Sequence, residues 1–176
     1  MPWTIPKTWS AGETLTAANF NTYIRDNQLA MAPHLLVRKT SDEAISVTTL
    51  QADDNLLFNV PANEIWYFWW SLLVTGSATT ADLAVRFTFP ASGDIAFSGG
   101  GVSIGGAYSQ KLYLGTTSPT TSQDYDIGTT GRTHLLIEGV YTNAGTGGNV
   151  ALEWAPSGAG TTTMKANSTL WGVKLA

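Results

Sequence analysis

The chain has 176 residues, no cysteine and a formal net charge of −4, with a pI near 4.9. This length fits one ordinary domain with a short appendage. The absence of cysteine excludes disulfides, thiolate metal sites and a cysteine nucleophile, and the nine Lys and Arg residues are too scattered for a nucleic-acid partner. No apolar stretch approaches the roughly 18 residues of a membrane span, and the N-terminus lacks an apolar signal core. We therefore expect a soluble protein made in the cytoplasm, without a membrane partner.

The N-terminal segment 1–15 is predicted to be an extended arm. It shows no hydrophobic period, contains two prolines and carries apolar side chains at Trp3, Ile5 and Trp9. Such side chains need a surface to lie against. The sequence leaves two alternatives open, because the arm can fold back on its own domain or dock on a neighbouring chain.

One helix is predicted from about Ala17 to Met31, with Thr16 as its N-cap and Pro33 beyond its end. A stripe recurs along it at helical spacing of three and four residues: Phe20, Tyr23, Ile24, Asn27 and Met31. One polar residue within an apolar stripe sets register and chain number when helices associate. We therefore expect this helix to associate with its own copies. The alternative, that Asn27 lies at the wet edge of the stripe, stays open.

From residue 34 onward the chain reads as short strands separated by Gly, Ser, Thr and Pro. The predicted strands are HLLVRK, AISVT, NLLFNVP, EIWYFWWSLLVTG, DLAVRFTFP, DIAFSG, QKLYLG, RTHLLIEGVYTN, TGGNVALEWAP, TTTMKA and STLWGVKLA. Strands at this spacing predict a mostly β protein, an antiparallel jelly-roll-like β-sandwich. The predicted organisation is therefore an arm and short helix at 1–33, for anchoring or oligomerisation, followed by one sandwich domain at 34–176.

The strand at 65–74 is apolar on both faces. Trp66, Phe68 and Trp70 point one way, whereas Tyr67 and Trp69 point the other way. Each sheet of a two-layer sandwich has only one inner face, so the second face needs another cover. We predict that Trp66, Phe68 and Trp70 belong to an interface with another chain. A stacking platform for sugars is the alternative.

No constellation in the sequence predicts catalysis. The only histidines, His34 and His134, stand outside any recognisable motif, and a G-x-S-x-G elbow is absent. The carboxylate pairs Asp53 with Asp54 and Asp124 with Asp126 fall in stretches that read as loops, where carboxylates are solvated or accept bonds from turn N–H groups. We expect no enzyme activity.

No cofactor or metal is predicted either. The stretch Asp124–Asp126 lacks the further spaced oxygen ligands and the closing Glu of a calcium loop. The glycines at 99–101 and 105–106 lack the Lys-Ser/Thr ending and the following helix of a phosphate-binding loop. We expect this glycine-rich stretch to form a flexible loop or bulge.

The stretch WTIPKTWSAGETLTAANFNTYIRDNQLAM resembles an N-terminal segment of structural proteins from tailed-bacteriophage virions. That segment has the general form W-T-x-P-x-T-W-x-x-G-E-x-L-T-A-A-x-x-N-x-x-I-R-D-N. The matching residues are Trp3, Thr4, Pro6, Thr8, Trp9, Gly12, Glu13, Leu15, Thr16, Ala17, Ala18, Asn21, Ile24, Arg25, Asp26 and Asn27. A second stretch, TLQADDNLLFNVPANEIW, is similar to the start of the family's β-domain, T-L-x-x-D-x-x-L-x-F-x-V-x-A-N-E-x-W. The chain departs from the family at Trp69 and Trp70, where relatives carry smaller or more polar residues.

This resemblance implies a virion component with a jelly-roll-like domain, commonly oligomeric and without catalysis. We expect a homotrimeric capsid decoration or head-fibre protein, attached through its N-terminal arm to other virion proteins and assembled in the cytoplasm of the bacterial host. A tail-fibre or tail-tip protein is one alternative. A receptor-binding module for cell-surface carbohydrate is another.

Overall fold

A computed structural model describes residues 4–31, 35–102, 108–115 and 122–176, with the backbone alone at 29–31, 102 and 108–115. The chain divides into two compact units, Met1–His34 and Leu35–Ala176. Trp3, His34 and the glycines at 105–106 lie outside the described residues. No helix in the described part of the chain is both long and apolar enough to cross a membrane.

The first unit contains one continuous helix, α1, whose bounds match the predicted helix. It comprises an α-helical turn Ala17–Phe20, a π-helical segment Asn21–Arg25 and a second α-helical segment Asp26–Met31. The predicted N-cap is confirmed, because the Asn19 backbone N–H donates to the Thr16 hydroxyl oxygen over 3.1 Å.

The arm packs on α1 through Asn27, which is only 4% exposed. The Asn27 side-chain oxygen accepts a hydrogen bond from the Thr4 backbone N–H over 2.9 Å. Its amide nitrogen donates to the Thr4 carbonyl over 2.8 Å and to the Tyr23 carbonyl over 3.3 Å. The predicted role of Asn27 between associating helices is therefore wrong, because its oxygen and nitrogen are both engaged within the chain.

The turn of the arm is held by Glu13. Its carboxylate pairs with the Lys7 ammonium and accepts the Ser10 backbone N–H over 3.2 Å, while Gly12 adopts a φ of +82° that favours glycine. The hydrogen bond from Lys7, followed by that from Ser10, lowers the pKa of Glu13. The arm therefore has an internal structure of its own.

The second unit is built from strands, with the following bounds: β1 Leu35–Arg38, β2 Glu43–Ile45, β3 Gln51–Val60, β4 Ile65–Gly76, β5 Leu83–Thr88, β6 Asp94–Val102, β7 Tyr108–Gly115, β8 Gln123–Tyr125, β9 Thr133–Thr142, β10 Gly148–Pro156, β11 Thr162–Met164 and β12 Thr169–Lys174. Each strand except β8 corresponds to a predicted one. The residues Gln123–Tyr125 were expected to lie in a loop.

Within the described residues these strands form two antiparallel sheets. The larger sheet has the order β1-β12-β4-β9-β6-β7, with β11 pairing with both β4 and β2. The smaller sheet has the order β3-β10-β5-β8. The mostly β, antiparallel sandwich with an N-terminal arm and one short helix, as predicted, is confirmed.

The hydrophobic core lies between the two sheets. Alternate residues of β4 face inward, and among them Phe68 and Trp70 are fully buried and Trp66 is 8% exposed. Phe58 of β3 and Phe87 of β5 pack against these rings from the smaller sheet, with ring centroids 4.7–5.8 Å apart for their contacts with Trp70. The predicted interface role of Trp66, Phe68 and Trp70 is therefore wrong, because the second sheet of the same domain already covers them.

Two loop predictions are also wrong. Gly99–Gly101 lie within β6, where a Cβ at Gly99 would meet the Tyr125 hydroxyl oxygen at 2.4 Å and one at Gly101 would meet the His134 carbonyl at 2.3 Å. These glycines permit close approach rather than flexibility. The carboxylates Asp53 and Asp54 lie in β3 and Asp124 lies in β8, so neither pair is confined to loops.

Candidate interaction surface on the larger sheet

The outer face of the larger sheet carries the second set of aromatic rings from β4. Because successive residues alternate, Tyr67 and Trp69 point away from the core. Strand register places Trp171 of β12 beside Trp69 and Val140 of β9 beside Tyr67. We call this surface the outer aromatic face, defined by its six apolar members: Leu36, Tyr67, Trp69, Leu136, Val140 and Trp171.

The rings of the outer aromatic face shield one another only in part. Trp69 and Trp171 lie 5.5 Å apart between centroids with an interplanar angle of 31°, and Tyr67 and Trp69 lie 5.1 Å apart at 54°. Tyr67 and Trp69 are half-buried by these contacts. The exposed fractions of the other members are 59% for Leu36, 40% for Leu136, 37% for Val140 and 38% for Trp171. The result is a group of neighbouring apolar side chains that are open to solvent.

Two polar pairs interrupt this surface. The Tyr67 hydroxyl donates to the Glu138 carboxylate over 2.8 Å, and this hydrogen bond, together with burial and the carboxylate charge, raises the pKa of Tyr67. The Ser71 hydroxyl lies 2.8 Å from Nε2 of His134. A shallow depression of about 240 Å³ lies beside the first pair, with Tyr67, Ser98 and Glu138 among its lining residues.

The Ser71–His134 pair is incomplete as catalytic machinery. In a hydrolytic triad the second ring nitrogen of the histidine is oriented by a carboxylate. Within the described residues no carboxylate accepts a hydrogen bond from His134. The same part of the chain contains no cluster of three or more His, Asp or Glu side chains suited to a metal ion. The arrangement on this face can pack against a partner or hydrogen-bond to it.

The other predicted interface residues lie in the first unit. Ile5, Trp9 and Phe20 are exposed by 82%, 38% and 47%. Tyr23 and Ile24 are half-buried, and the Tyr23 ring meets Trp9 edge-on at 6.4 Å. Trp3 lies outside the described residues. The arm thus keeps exposed apolar side chains although it is folded on its own helix.

The sequence prediction missed most of the outer aromatic face. Trp69 was recognised as lying opposite Trp66 and Trp70, but Leu36, Leu136, Val140 and Trp171 were not singled out. The signal for Trp171 was its alternation with Leu170 in β12, which is fully buried. Trp171 lies next to Trp69 because β12 pairs with β4. The two residues are 102 positions apart in the chain, so the sequence alone does not show this contact.

Comparisons with known proteins give weak likenesses. No protein-family model matches the chain, and no curated protein matches it. Among solved structures, the CBM22-1 xylan-binding domain of Paenibacillus barcinonensis Xyn10C is 13% identical, with a TM-score of 0.34, and the match covers 81% of this chain and 95% of that domain. The VP2 subviral particle of infectious bursal disease virus is 12% identical, with a TM-score of 0.23, and the match covers 80% of this chain and 39% of VP2. At such low TM-scores neither likeness indicates what this chain binds.

Proposed function

We propose that this chain is a non-enzymatic structural protein of a bacteriophage virion and that its outer aromatic face packs against another protein subunit of the particle. The observation that carries the proposal is the group of exposed apolar side chains around the half-buried Trp69, among them Trp171 and Val140. Large apolar surfaces on a folded domain mark interaction sites because their exposure to water is unfavourable. The polar pairs on the face give the contact its orientation.

The N-terminal unit supports the assignment to a virion. The residues that carry the resemblance to phage structural proteins are the ones that hold this unit together. Thr4 pairs with Asn27, Glu13 closes the turn of the arm, and Thr16 caps the helix. The motif therefore specifies a small folded element, and its exposed Ile5 and Phe20 are suited to attachment.

Within the virion we propose a capsid decoration or head-fibre protein, with a homotrimer as the expected assembly. A tail-fibre or tail-tip protein is the alternative location. Quantitative mass spectrometry of purified particles distinguishes them, since a capsid protein is present in very many copies and a tail-tip protein in few. Light scattering of the purified chain measures the number of subunits.

The outer aromatic face is tested by the double variant Leu136→Lys/Val140→Lys. Both side chains point to solvent, so we expect the domain to fold with a stability within about 1 kcal/mol of the wild type. Burying two ammonium groups in an apolar contact is unfavourable, so incorporation into particles should fall by at least about tenfold. The measurement is the copy number per particle after complementation of a phage that lacks the gene.

The control is Val47→Lys, which replaces an exposed valine away from the outer aromatic face. This variant should enter particles at the wild-type level. If the Leu136→Lys/Val140→Lys chain reaches the wild-type copy number per particle and forms the same oligomer in solution, this face contacts no partner.

A carbohydrate-binding role is the second candidate, favoured by the depression beside Tyr67. An aromatic ring and the Glu138 carboxylate line it together, and a sugar needs both an apolar face to stack on and an acceptor for its hydroxyl groups. If this role is correct, Tyr67→Ala should abolish binding on a glycan array while the subunit number is unchanged. Absence of any glycan signal for the wild type rejects it. Substitutions of Trp66 or Trp70 are unsuitable, since both rings belong to the core.

A further inference from the structure

A buried ionic cluster joins three strand regions of the second unit. Lys39 follows β1, Glu43 begins β2 and Asp53 lies in β3. The Lys39 side chain is 1% exposed and that of Asp53 is 0% exposed, whereas Glu43 is 22% exposed. The Lys39 nitrogen lies 2.9 and 3.1 Å from the two oxygens of Asp53 and also contacts the Glu43 carboxylate. An amine, a carboxyl group and a second carboxylate are thus held together away from bulk water.

The Asp53 carboxyl group is surrounded by donors on both oxygens. The backbone N–H groups of Asn55 and Leu56 donate to Oδ1 over 2.9 and 2.8 Å. The Trp154 indole N–H donates to Oδ2 over 3.0 Å. Two backbone N–H groups on one carboxyl oxygen are the arrangement that stabilises the oxyanion of a tetrahedral intermediate in acyl transfer.

We propose that Lys39 and Asp53 condense spontaneously to an intramolecular isopeptide bond, with Glu43 as the catalytic acid and base. The Lys39 nitrogen passes one proton to Oδ2 of Asp53 and forms a bond to its Cγ, while the carbonyl electron pair moves to Oδ1 between the two backbone N–H groups. Glu43 then takes a second proton from the nitrogen and delivers it to Oδ2. The Cγ–Oδ2 bond breaks, and Oδ2 leaves as water with its electron pair.

This reaction is balanced without an external reactant. The ammonium carries three protons, of which one remains on the amide nitrogen and two leave with the oxygen. Glu43 ends in the form in which it began, and no oxidation occurs. Because the fold holds the amine against the carboxyl group, the condensation is intramolecular, and it is therefore much faster than the same reaction between separate molecules in solution. Exclusion of bulk water removes the nucleophile that would reverse the condensation.

The resting state of the cluster is ionic. Burial lowers the pKa of Lys39, but the hydrogen bonds and charges of Glu43 and Asp53 raise it, and the net shift is upward. The ammonium form is therefore favoured at neutral pH, and its proton must move within the cluster rather than to solvent. Glu43 provides this path, because its carboxylate contacts the Lys39 nitrogen and is the only one of the three side chains in the cluster that reaches the surface.

The intact mass of the folded full-length protein tests the bond directly. We expect a mass lower by one water than the sequence requires, and resistance to trypsin after Lys39. Tandem mass spectrometry should recover a branched peptide that joins residues 39 and 53. A folded wild-type chain with the full sequence mass and ready cleavage after Lys39 would leave a non-covalent ion pair only and overturn the proposal.

Three variants separate the chemistry from simple packing. Glu43→Gln keeps the size of the side chain but cannot accept the proton, so the folded variant should retain its full mass. Lys39→Arg keeps the charge but should likewise remain uncondensed. Asp53→Asn should react with loss of ammonia instead of water and give a product of the same mass as the wild-type product. Loss of water from folded Glu43→Gln at the wild-type extent would contradict the role of Glu43. These outcomes are independent of the proposed function in the virion.

Discussion

Replacing Trp70 by alanine is expected to lower the free energy of unfolding by about 3–5 kcal/mol. Trp70 is fully buried at the centre of the core. Its ring lies 4.7 Å from those of Phe68 and Phe87 and 5.8 Å from that of Phe58. These neighbours come from both sheets and cannot all move into the vacated space, so a large cavity would remain. Guanidinium unfolding followed by circular dichroism measures the loss.

Two further tryptophan variants show whether the loss reflects packing. Among the described residues the Trp70 indole N–H has no hydrogen-bond partner, so Trp70→Phe removes an unsatisfied donor along with part of the ring. We expect Trp70→Phe to lose less than half as much stability as Trp70→Ala. Trp171→Ala removes a ring from the outer aromatic face and should cost about 1 kcal/mol or less. Equal losses for Trp70→Ala and Trp171→Ala would contradict the assignment of inner and outer faces.

Local patterns were sufficient to predict the helix and every described strand except β8. Alternation of apolar side chains, bounded by Gly, Ser, Thr and Pro, marks β4 and β10, and Thr16 marks the start of α1. β8 was missed because its sequence, Gln123–Tyr125, has two polar residues out of three and follows a Ser/Thr-rich stretch, so it shows no apolar alternation. The glycines at 99–101 were placed in a loop because glycine is rare in strands, whereas here β9 and Tyr125 approach too closely for any side chain.

The functional faces depend on contacts that the sequence does not display. Alternation divides the rings of β4 into two sets, but it does not say which set meets the second sheet. That choice follows from the position of Phe58 and Phe87 opposite Trp70. The same limit applies to Asn27, whose partner Thr4 is 23 positions away. It applies also to Asp53, which was expected in a loop, either solvated or accepting bonds from turn N–H groups. Asp53 accepts such bonds from Asn55 and Leu56, but its distant partners Lys39 and Trp154 were not foreseen.

Replacing Asp53 by alanine is expected to lower the free energy of unfolding by about 3–5 kcal/mol through the loss of its ionic contacts and hydrogen bonds alone. The variant leaves the Lys39 ammonium buried with Glu43 alone. It also removes the acceptor of the Asn55, Leu56 and Trp154 N–H groups. Unsatisfied buried donors and an incompletely paired buried charge are each unfavourable. Chemical denaturation at neutral pH measures the effect, and a loss below about 1 kcal/mol would contradict this account.

A double variant separates the charge from the missing acceptor. Lys39→Met/Asp53→Ala removes the ammonium together with its partner, and it should be more stable than Asp53→Ala alone by at least about 1 kcal/mol. The three N–H donors stay unsatisfied in both variants, so the difference between the two reports on the buried charge.

The covalent bond adds a second contribution that the same measurements can isolate. By analogy with a disulfide, a bond between residues 39 and 53 restricts the unfolded chain and stabilises the fold by on the order of 3 kcal/mol. Lys39→Arg keeps a cation beside Asp53 and Glu43 but is expected to lack the bond. Introducing Asp53→Ala into the Lys39→Arg chain should therefore cost less than introducing it into the wild type, by about this amount. Equal costs in the two backgrounds, together with an unchanged intact mass, would assign the whole stabilisation to the ion pair.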